Sequence, residues 1–259
     1  TRADLYRADL RHSVLDKAIF ARAILSKADL EGAILVEADF FRAYLCKANL
    51  SNANLRNADL RFANLRGANL NGALLNEAVL IHTDLREADL TNADLSSANL
   101  YEADLSGANL TGANLVLANL VNANLEGAVL TGACIHDWHT NTYTNLEDVS
   151  CEYIYTKIGE RGRRPRTGAF REGEFAALNR QIADTVDLFL EDGIDWQILF
   201  ASIHEVRQQF RNTDISIKAI EKKNSGSFIV RLEASKEKTA IEEKLKKAWR
   251  RNKELKYQL

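Results

Sequence analysis

The sequence predicts a mainly β chain, a four-sided coil over residues 1–135 followed by a small α+β domain, and three observations predict it. Every fifth residue from 5 to 135 is large and apolar: Leu throughout, except Phe20, Phe40 and Ile135. Two places earlier stands Ala, except Ser13 and Thr83, which makes 27 consecutive units of the form A-[D/N]-L-x-x. The seven glycines of this stretch (Gly32, Gly67, Gly72, Gly107, Gly112, Gly127, Gly132) all lie two places after a Leu-type residue. They fall in two columns modulo 20 but scatter over three modulo 15.

A period of five is neither the 3.6 of a helix nor the 2.0 of a strand. A strict short period in a stacked array marks a solenoid, here with one unit per side. Leu and Ala then face inward and the other three residues face water. The glycine columns select a twenty-residue turn of four sides, in which two corners call for a left-handed residue. Nearly seven turns at strand spacing give a rod of roughly 30 Å. Phe20 and Phe40, one turn apart, are expected to stack inside. Ser13 and Thr83 fit the Ala place because a hydroxyl can donate to a nearby carbonyl.

Motifs such as A-D-L-Y-R-A-D-L at 3–10 and A-D-L-S-G-A-N-L-T-G at 103–112 resemble the pentapeptide repeat family, over just over half the chain. The resemblance implies a right-handed quadrilateral parallel β-helix, with Asp and Asn helping to tie its corners. It also implies a protein-binding surface. The best-known members are of that kind, including inhibitors or protectors of DNA gyrase that imitate duplex DNA in shape and charge.

The 259 residues carry a net charge of −2 and three cysteines. Cys46, Cys134 and Cys151 are too few and scattered for a disulfide framework, which suits a reducing cytoplasm. No apolar run is long enough to span a membrane, and no secretory signal is visible. The chain has no methionine and starts inside a repeat, so a longer parent is expected. The first coil would then expose an uncapped sheet edge where more repeats, a partner or a second copy could pair.

Charge is unevenly spread. Residues 1–66 hold 11 Lys/Arg against 8 Asp/Glu, whereas residues 67–135 hold only Arg86 against 8 acids. With a twenty-residue turn, Arg2, Arg22 and Arg42 form one file and Arg7, Lys27 and Lys47 the next, like charges about 5 Å apart. Such files read either as a surface for an acidic partner or as a solvated face relieved by Asp4, Asp9, Asp29 and Asp39. Only Tyr6 and Phe41 accompany them among aromatics, which argues against nucleic acid. Another file is apolar for an outward place: Ala21, Phe41, Arg61, Ile81, Tyr101, Val121, with Phe62 beside it and Val116 and Leu117 at other corners. Exposed apolar surface of this kind reads as a contact with the C-terminal segment, as a contact with a partner protein, or as ordinary scatter.

From about 136 the five-residue register is expected to fail. Residues 136–172 read as a capping segment, in which Trp138, Tyr143, Tyr153 and Tyr155 cover the last coil. A linker follows from 156, with R-G-R-R-P-R-T-G at 161–168. That linker can lie on the acidic half of the rod, bind phosphate or stay solvated. Cys134, His136, His139 and Cys151 are ligand types that zinc uses, but their spacing matches no paired-knuckle pattern, and no metal or cofactor is expected. The run from C-x-H-D-W to R-R-P-x-x-G-x-F-x-x-G-E-F resembles a tail that follows the repeats in a group of cyanobacterial proteins.

Residues 173–259 predict an α+β domain of order ααββα. Phe175, Leu178, Ile182, Val186 and Phe189 share one helical face, ended by Gly193. Asp195 caps a second helix bearing Trp196, Leu199, Ile203, Val206 and Phe210. Two alternating strands flank the turn Asn224-Ser225-Gly226, and a Thr239/Glu242 capping box opens a last, basic helix. No phosphate loop, G-x-S-x-G or H-E-x-x-H is present, and His204-Glu205 is a lone pair, so no enzyme is predicted. The sequence therefore points to a scaffold that presents side-chain columns to a protein partner, with self-association through the last domain or first coil. A DNA-mimic inhibitor of gyrase and the regulatory part of a larger effector stand as alternatives.

Overall fold

The computed structural model describes residues 3–141, 143–183, 185–190, 195–210, 215–222, 228–234 and 238–257. The chain divides into two compact units, Thr1–Leu178 and Asn179–Leu259.

In the first unit, parallel bridges join residues twenty apart, from Asp4↔Ile24 through Asn119↔His139, always at the place before the Leu. Four bridges fall in each twenty residues, so each layer has four five-residue sides. Backbone bonds tie each side up and down: the Leu25 amide donates to Tyr44 O at 2.7 Å, and the Tyr44 amide donates to Ala23 O at 2.9 Å. Each side ends in a tight turn, as where the Ala23 amide reaches Phe20 O at 2.9 Å.

Leu and Ala fill the tube. From Ala23 to Ala133 these places are at most 1% exposed, and the Phe20 and Phe40 rings stack at 5.0 Å. Burying one Leu contributes roughly 1.5–3 kcal/mol. The two hydroxyl residues among the alanines satisfy themselves: Ser13 Oγ donates to Leu10 O at 2.5 Å, and buried Thr83 Oγ1 donates to Leu60 O at 2.8 Å. Asp and Asn tie the outside. Asp39 Oδ1 accepts the Phe41 amide at 2.8 Å, and Asn49 Nδ2 donates to Asp29 Oδ1 one layer below at 2.9 Å.

Two left-handed corners were expected; all four take that form. Every residue in the second place after the Leu-type position, from Arg7 to Asp137, has φ between 50° and 76°, glycine or not. A non-glycine residue there costs about 1–2 kcal/mol. The turn is held because the same amide bonds to the next layer, as Arg22 N does to Phe41 O at 2.8 Å.

Three of the glycines answer a further need, room for a side chain from the layer below. A Cβ on Gly32 would lie 2.5 Å from His12 Nδ1, one on Gly72 2.7 Å from Asn52 Oδ1, and one on Gly112 2.4 Å from Asn92 Oδ1. From 12 to 112 that file alternates His or Asn with Gly, so that each polar side chain has room beneath the next turn. Gly72→Ala is therefore expected to destabilise the coil by roughly 1–2 kcal/mol, with part recovered by adding Asn52→Gly. Thermal melts of the three proteins test it, and a single variant melting with the wild type would refute the clash.

The pairing does not stop at 136. Asn124↔Asn145, Val129↔Ser150 and Cys134↔Tyr155 continue it at a separation of 21, so one residue is inserted between His139 and Asn145 and the ladder resumes. Thr144 then stands in the Ala place, with Oγ1 donating to Leu120 O at 2.9 Å, and Cys151 stands in a Leu place, where burial pushes its thiol up to about 12. The expected linker is also structured: β1 (Ile154–Lys157) pairs antiparallel with β2 (Arg161–Arg164). The core is completed by Ile154, Phe175 and half-buried Trp138 and Phe170, with Trp138–Phe175 and Phe170–Phe175 centroids at 6.3 and 5.7 Å. Tyr143, expected in the lid, is 75% exposed.

After α1 (Glu174–Ala183) come β3 (Thr185–Leu190), α2 (Trp196–Gln209), β4 (Ile215–Lys222), β5 (Phe228–Ala234) and α3 (Lys238–Tyr257). The order is αβαββα rather than ααββα: the expected first helix stops at Ala183, and 185–190 becomes a strand. The reason lies in T-V-D-L-F-L, whose β-branched and aromatic residues favour a pleated strand once β5 offers Thr185↔Glu233 to Leu190↔Phe228. The sheet order is β3-β5-β4, all antiparallel. Asp195 caps α2, its side chain accepting from the Gln197 and Ile198 amides. Leu199, Ile203 and Val206 join Ile215, Val230, Leu232, Ile241, Leu245 and Ala248 in one core. Trp196 is exposed and stacks on Phe200 at 5.9 Å. The Asn224–Gly226 turn and the side chains of Thr239 and Glu242 lie outside the described residues.

Candidate functional site

The twenty-residue layer places two files that look separate in the sequence on a single corner. The second-place file reads Arg22, Arg42, Phe62, His82, Glu102, Asn122; the first-place file beside it reads Ala21, Phe41, Arg61, Ile81, Tyr101, Val121. Rings run up this corner in contact. Phe41 meets Phe62 edge-on at 5.9 Å, Phe62 stacks on His82 at 4.9 Å, and His82 meets Tyr101 at 6.3 Å. Cations flank the lower rings: the Arg42 guanidinium lies 5.1 Å from the Phe41 centroid and 5.4 Å from that of Phe62, and Arg61 lies 5.5 Å from Phe41. Such contacts contribute about 0.5–1 kcal/mol at exposed sites, which is enough to bias rotamers.

The upper end turns polar. His82 Nδ1 is 3.2 Å from Glu102 Oε2, and Asn122 Nδ2 donates to Tyr101 Oη at 3.2 Å. The hydrogen bond between Tyr101 and Glu102 raises the phenol and lowers the carboxyl, so the corner keeps a neutral phenol beside an anion. Lower down, Arg61 pairs with Asp59 at 2.6 Å, and that hydrogen bond holds the Asp59 carboxyl below its usual range. The corner thus runs from cationic through aromatic to anionic, with Phe62 45% exposed.

Of the residues singled out by sequence, Phe41, Phe62, Ile81 and Tyr101 fall together here, with Ile81 and Tyr101 half-buried. Arg22 and Arg42 stand in the same file beneath Phe62, and Arg2 lies outside the described residues. Arg7, Lys27 and Lys47 occupy the neighbouring corner, all exposed, with Arg7 over the Tyr6 ring at 5.3 Å. The aspartates expected to relieve these cations serve their own turns instead. Asp4 accepts the Tyr6 amide, Asp9 binds Arg11, and Asp29 accepts Glu31 N and Asn49 Nδ2. Val116 is buried and adds nothing to the surface, whereas Leu117 is 49% exposed at another corner. His82 was missed in the sequence; counting in twenties from Phe62 would have found it.

Other candidate groups are dispersed. His136 Nδ1 sits 3.2 Å from Thr156 O, Cys134 Sγ contacts Lys157 O at 3.6 Å, and Cys151 faces the core. Among the described residues, no three His, Cys, Asp or Glu side chains are placed to hold a metal. Glu205 pairs with Arg251, and His204 contacts Gln208 at 2.9 Å. Among the described residues no helix is long and apolar enough to cross a membrane.

The model of the family described as "Pentapeptide repeats" matches residues 3–40, 38–76, 73–112 and 98–137. The chain belongs to the pentapeptide repeat family. No curated protein matches it. Among solved structures it is similar to a thylakoid-lumen pentapeptide repeat protein of Arabidopsis thaliana, at 36% identity over 37% of this chain and 67% of that one, with a TM-score of 0.37. It is also similar to HetL, a pentapeptide repeat protein of Nostoc involved in heterocyst differentiation regulation, at 35% identity over 61% of this chain and 84% of that one, with a TM-score of 0.24. QnrB1, a plasmid-mediated fluoroquinolone resistance protein, matches at 17% identity over 59% of this chain and 93% of that one, with a TM-score of 0.36. The family implies the right-handed quadrilateral β-helix.

Proposed function

We propose that the chain is a non-enzymatic scaffold whose coil presents the Arg42–Phe41–Phe62–His82–Tyr101 corner to a protein partner. One observation carries the reading: rings and guanidinia form a continuous strip held in place by their own contacts, with Phe62 and His82 exposed and Phe41 and Tyr101 half-buried. Aromatic and Arg side chains dominate binding energy where they are pre-ordered, because less conformational freedom is lost on association. The cations of Arg22, Lys27 and Lys47 flank the strip and favour an acidic rim on the partner. Three free cysteines suit a reducing compartment, and we place the scaffold in the cytoplasm. The test is capture and cross-linking of partners on the wild type and on Arg42→Glu/Phe62→Ala. Loss of a partner from the variant alone supports the reading, and identical partner sets refute the strip as the contact.

A second reading rests on charge. Residues 67–135 hold eight acids against Arg86, and the hydrogen bond from Arg86 keeps Asp84 below the usual carboxylate range. An anionic rod of this kind fits DNA mimicry towards gyrase, while the cationic layers below argue against a uniform mimic. A supercoiling assay without inhibition or drug protection would dispose of it.

A further inference from the structure

The hairpin beyond the last layer holds a cleft that the scaffold reading leaves unused. Its volume is about 330 Å³, and it is lined by Thr156, Lys157, Gly162, Arg163, Arg164 and Arg166. Four of the six carry positive charge. Among the described residues none of those four lies within 4.0 Å of a carboxylate, although the chain as a whole is slightly acidic. Unanswered like charges held side by side are unfavourable.

The floor is built. Lys157 pairs with Arg161 across the hairpin and Tyr155 with Arg163, so Gly162 lies opposite Thr156. Thr156 Oγ1 donates to Gly162 O at 2.8 Å. Gly162 has φ 68°, and a Cβ there would lie 2.6 Å from Thr156 Oγ1 and 3.1 Å from Lys157 Cγ. Only glycine leaves this hollow open. Arg163 is pinned, donating to Pro165 O at 2.5 Å and Gly168 O at 2.9 Å, with its guanidinium 4.3 Å from the Tyr153 centroid. It fixes the return loop that carries Arg164 and Arg166, whose heads take no part in that scaffolding.

We propose that this cleft binds a phosphoryl group, either inorganic phosphate or the phosphate of a small monoester. Arg164, Arg166 and Lys157 all line this cleft, and guanidinium and ammonium donors match the several acceptor oxygens of a phosphate dianion, with Arg able to bind two oxygens at once. The volume lies at the lower end for small-molecule sites, which fits a phosphate with at most a small attached group.

The experiment is calorimetric titration of the full chain with inorganic phosphate at fixed ionic strength, with the small monophosphate glycerol 3-phosphate in a second arm and sodium chloride as control. Saturable binding is expected. Arg164→Gln should weaken it roughly tenfold, and Arg164→Gln/Arg166→Gln further still, with unchanged thermal melts. Equal affinity for both ligands supports free phosphate as the ligand, and tighter binding of the monophosphate supports a phosphomonoester. Heat that follows ionic strength alone, or binding unaltered in the double variant, overturns the proposal. So does polyglutamate binding that phosphate cannot displace, which would assign the cleft to an acidic polypeptide. Variants of the aromatic corner should leave phosphate binding intact, so the two readings fail separately.

Discussion

Replacing Leu70 with Asp is expected to unfold the middle of the coil. Leu70 is fully buried, and its amide donates to Asp89 O at 2.7 Å, so its side chain and backbone both belong to the stack. Truncation to Ala leaves a cavity between the Leu50 and Leu90 layers and costs about 2–5 kcal/mol. Asp adds the burial of a carboxyl with no partner, a penalty of several kcal/mol more unless it takes up a proton. Each layer touches only the layers above and below, so the damage should spread outwards from the site. Hydrogen exchange should show protection lost first around residues 50–90. Leu5, in the first described layer, is only half-buried, and Leu5→Ala should cost clearly less. Equal denaturant midpoints for Leu70→Asp and wild type would contradict the filled tube.

The second large effect is expected at the aromatic corner. Once a partner is in hand, Phe62→Ala should weaken binding by roughly 2 kcal/mol, about thirtyfold, as for a central anchor. Phe62 is the pivot because it touches Phe41, His82 and Arg42 at once. Its loss removes a contact and also frees its neighbours to move. Arg42→Lys keeps the charge but loses the planar stack, and should fall between Phe62→Ala and wild type. Lys17→Ala, at another corner and paired with Glu37 at 3.3 Å, should leave binding unchanged. Equilibrium titration of the four proteins checks the order, and equal loss from Lys17→Ala would show that charge alone governs the contact.

The two units differ in how much of them could be read directly. In the coil, inward and outward places, the stacked Phe20 and Phe40, and the hydroxyls of Ser13 and Thr83 all follow from a rule that repeats every five residues. The rule fails to show where it is broken by one residue. The insertion between His139 and Asn145 displaces every later inward position, so Thr144, Cys151 and Ile154 looked irregular although they continue the stack. The corners misled for another reason. Glycine suggests left-handed turns, yet Arg22, Glu77 and Phe62 take the same conformation, and at 32, 72 and 112 glycine marks where a side chain from below needs room. The Arg22 and Arg42 file and the Phe41, Ile81 and Tyr101 file are legible separately; that they share a corner, with Phe62 and His82 continuing the arginine file, shows only when one column is followed to its end.

In the second unit, Val186 and Phe189 fit a helical face, and periodicity alone could not choose between helix and strand. What the sequence by itself determined was the twenty-residue layer, because the parallel bridges from Asp4 to His139 all pair residues twenty apart. What only the tertiary structure decided was the resumed layer to Tyr155, the β1–β2 hairpin that closes the cationic cleft, and the strand at 185–190. Each of these depends on a partner segment whose distance along the chain no local repeat specifies.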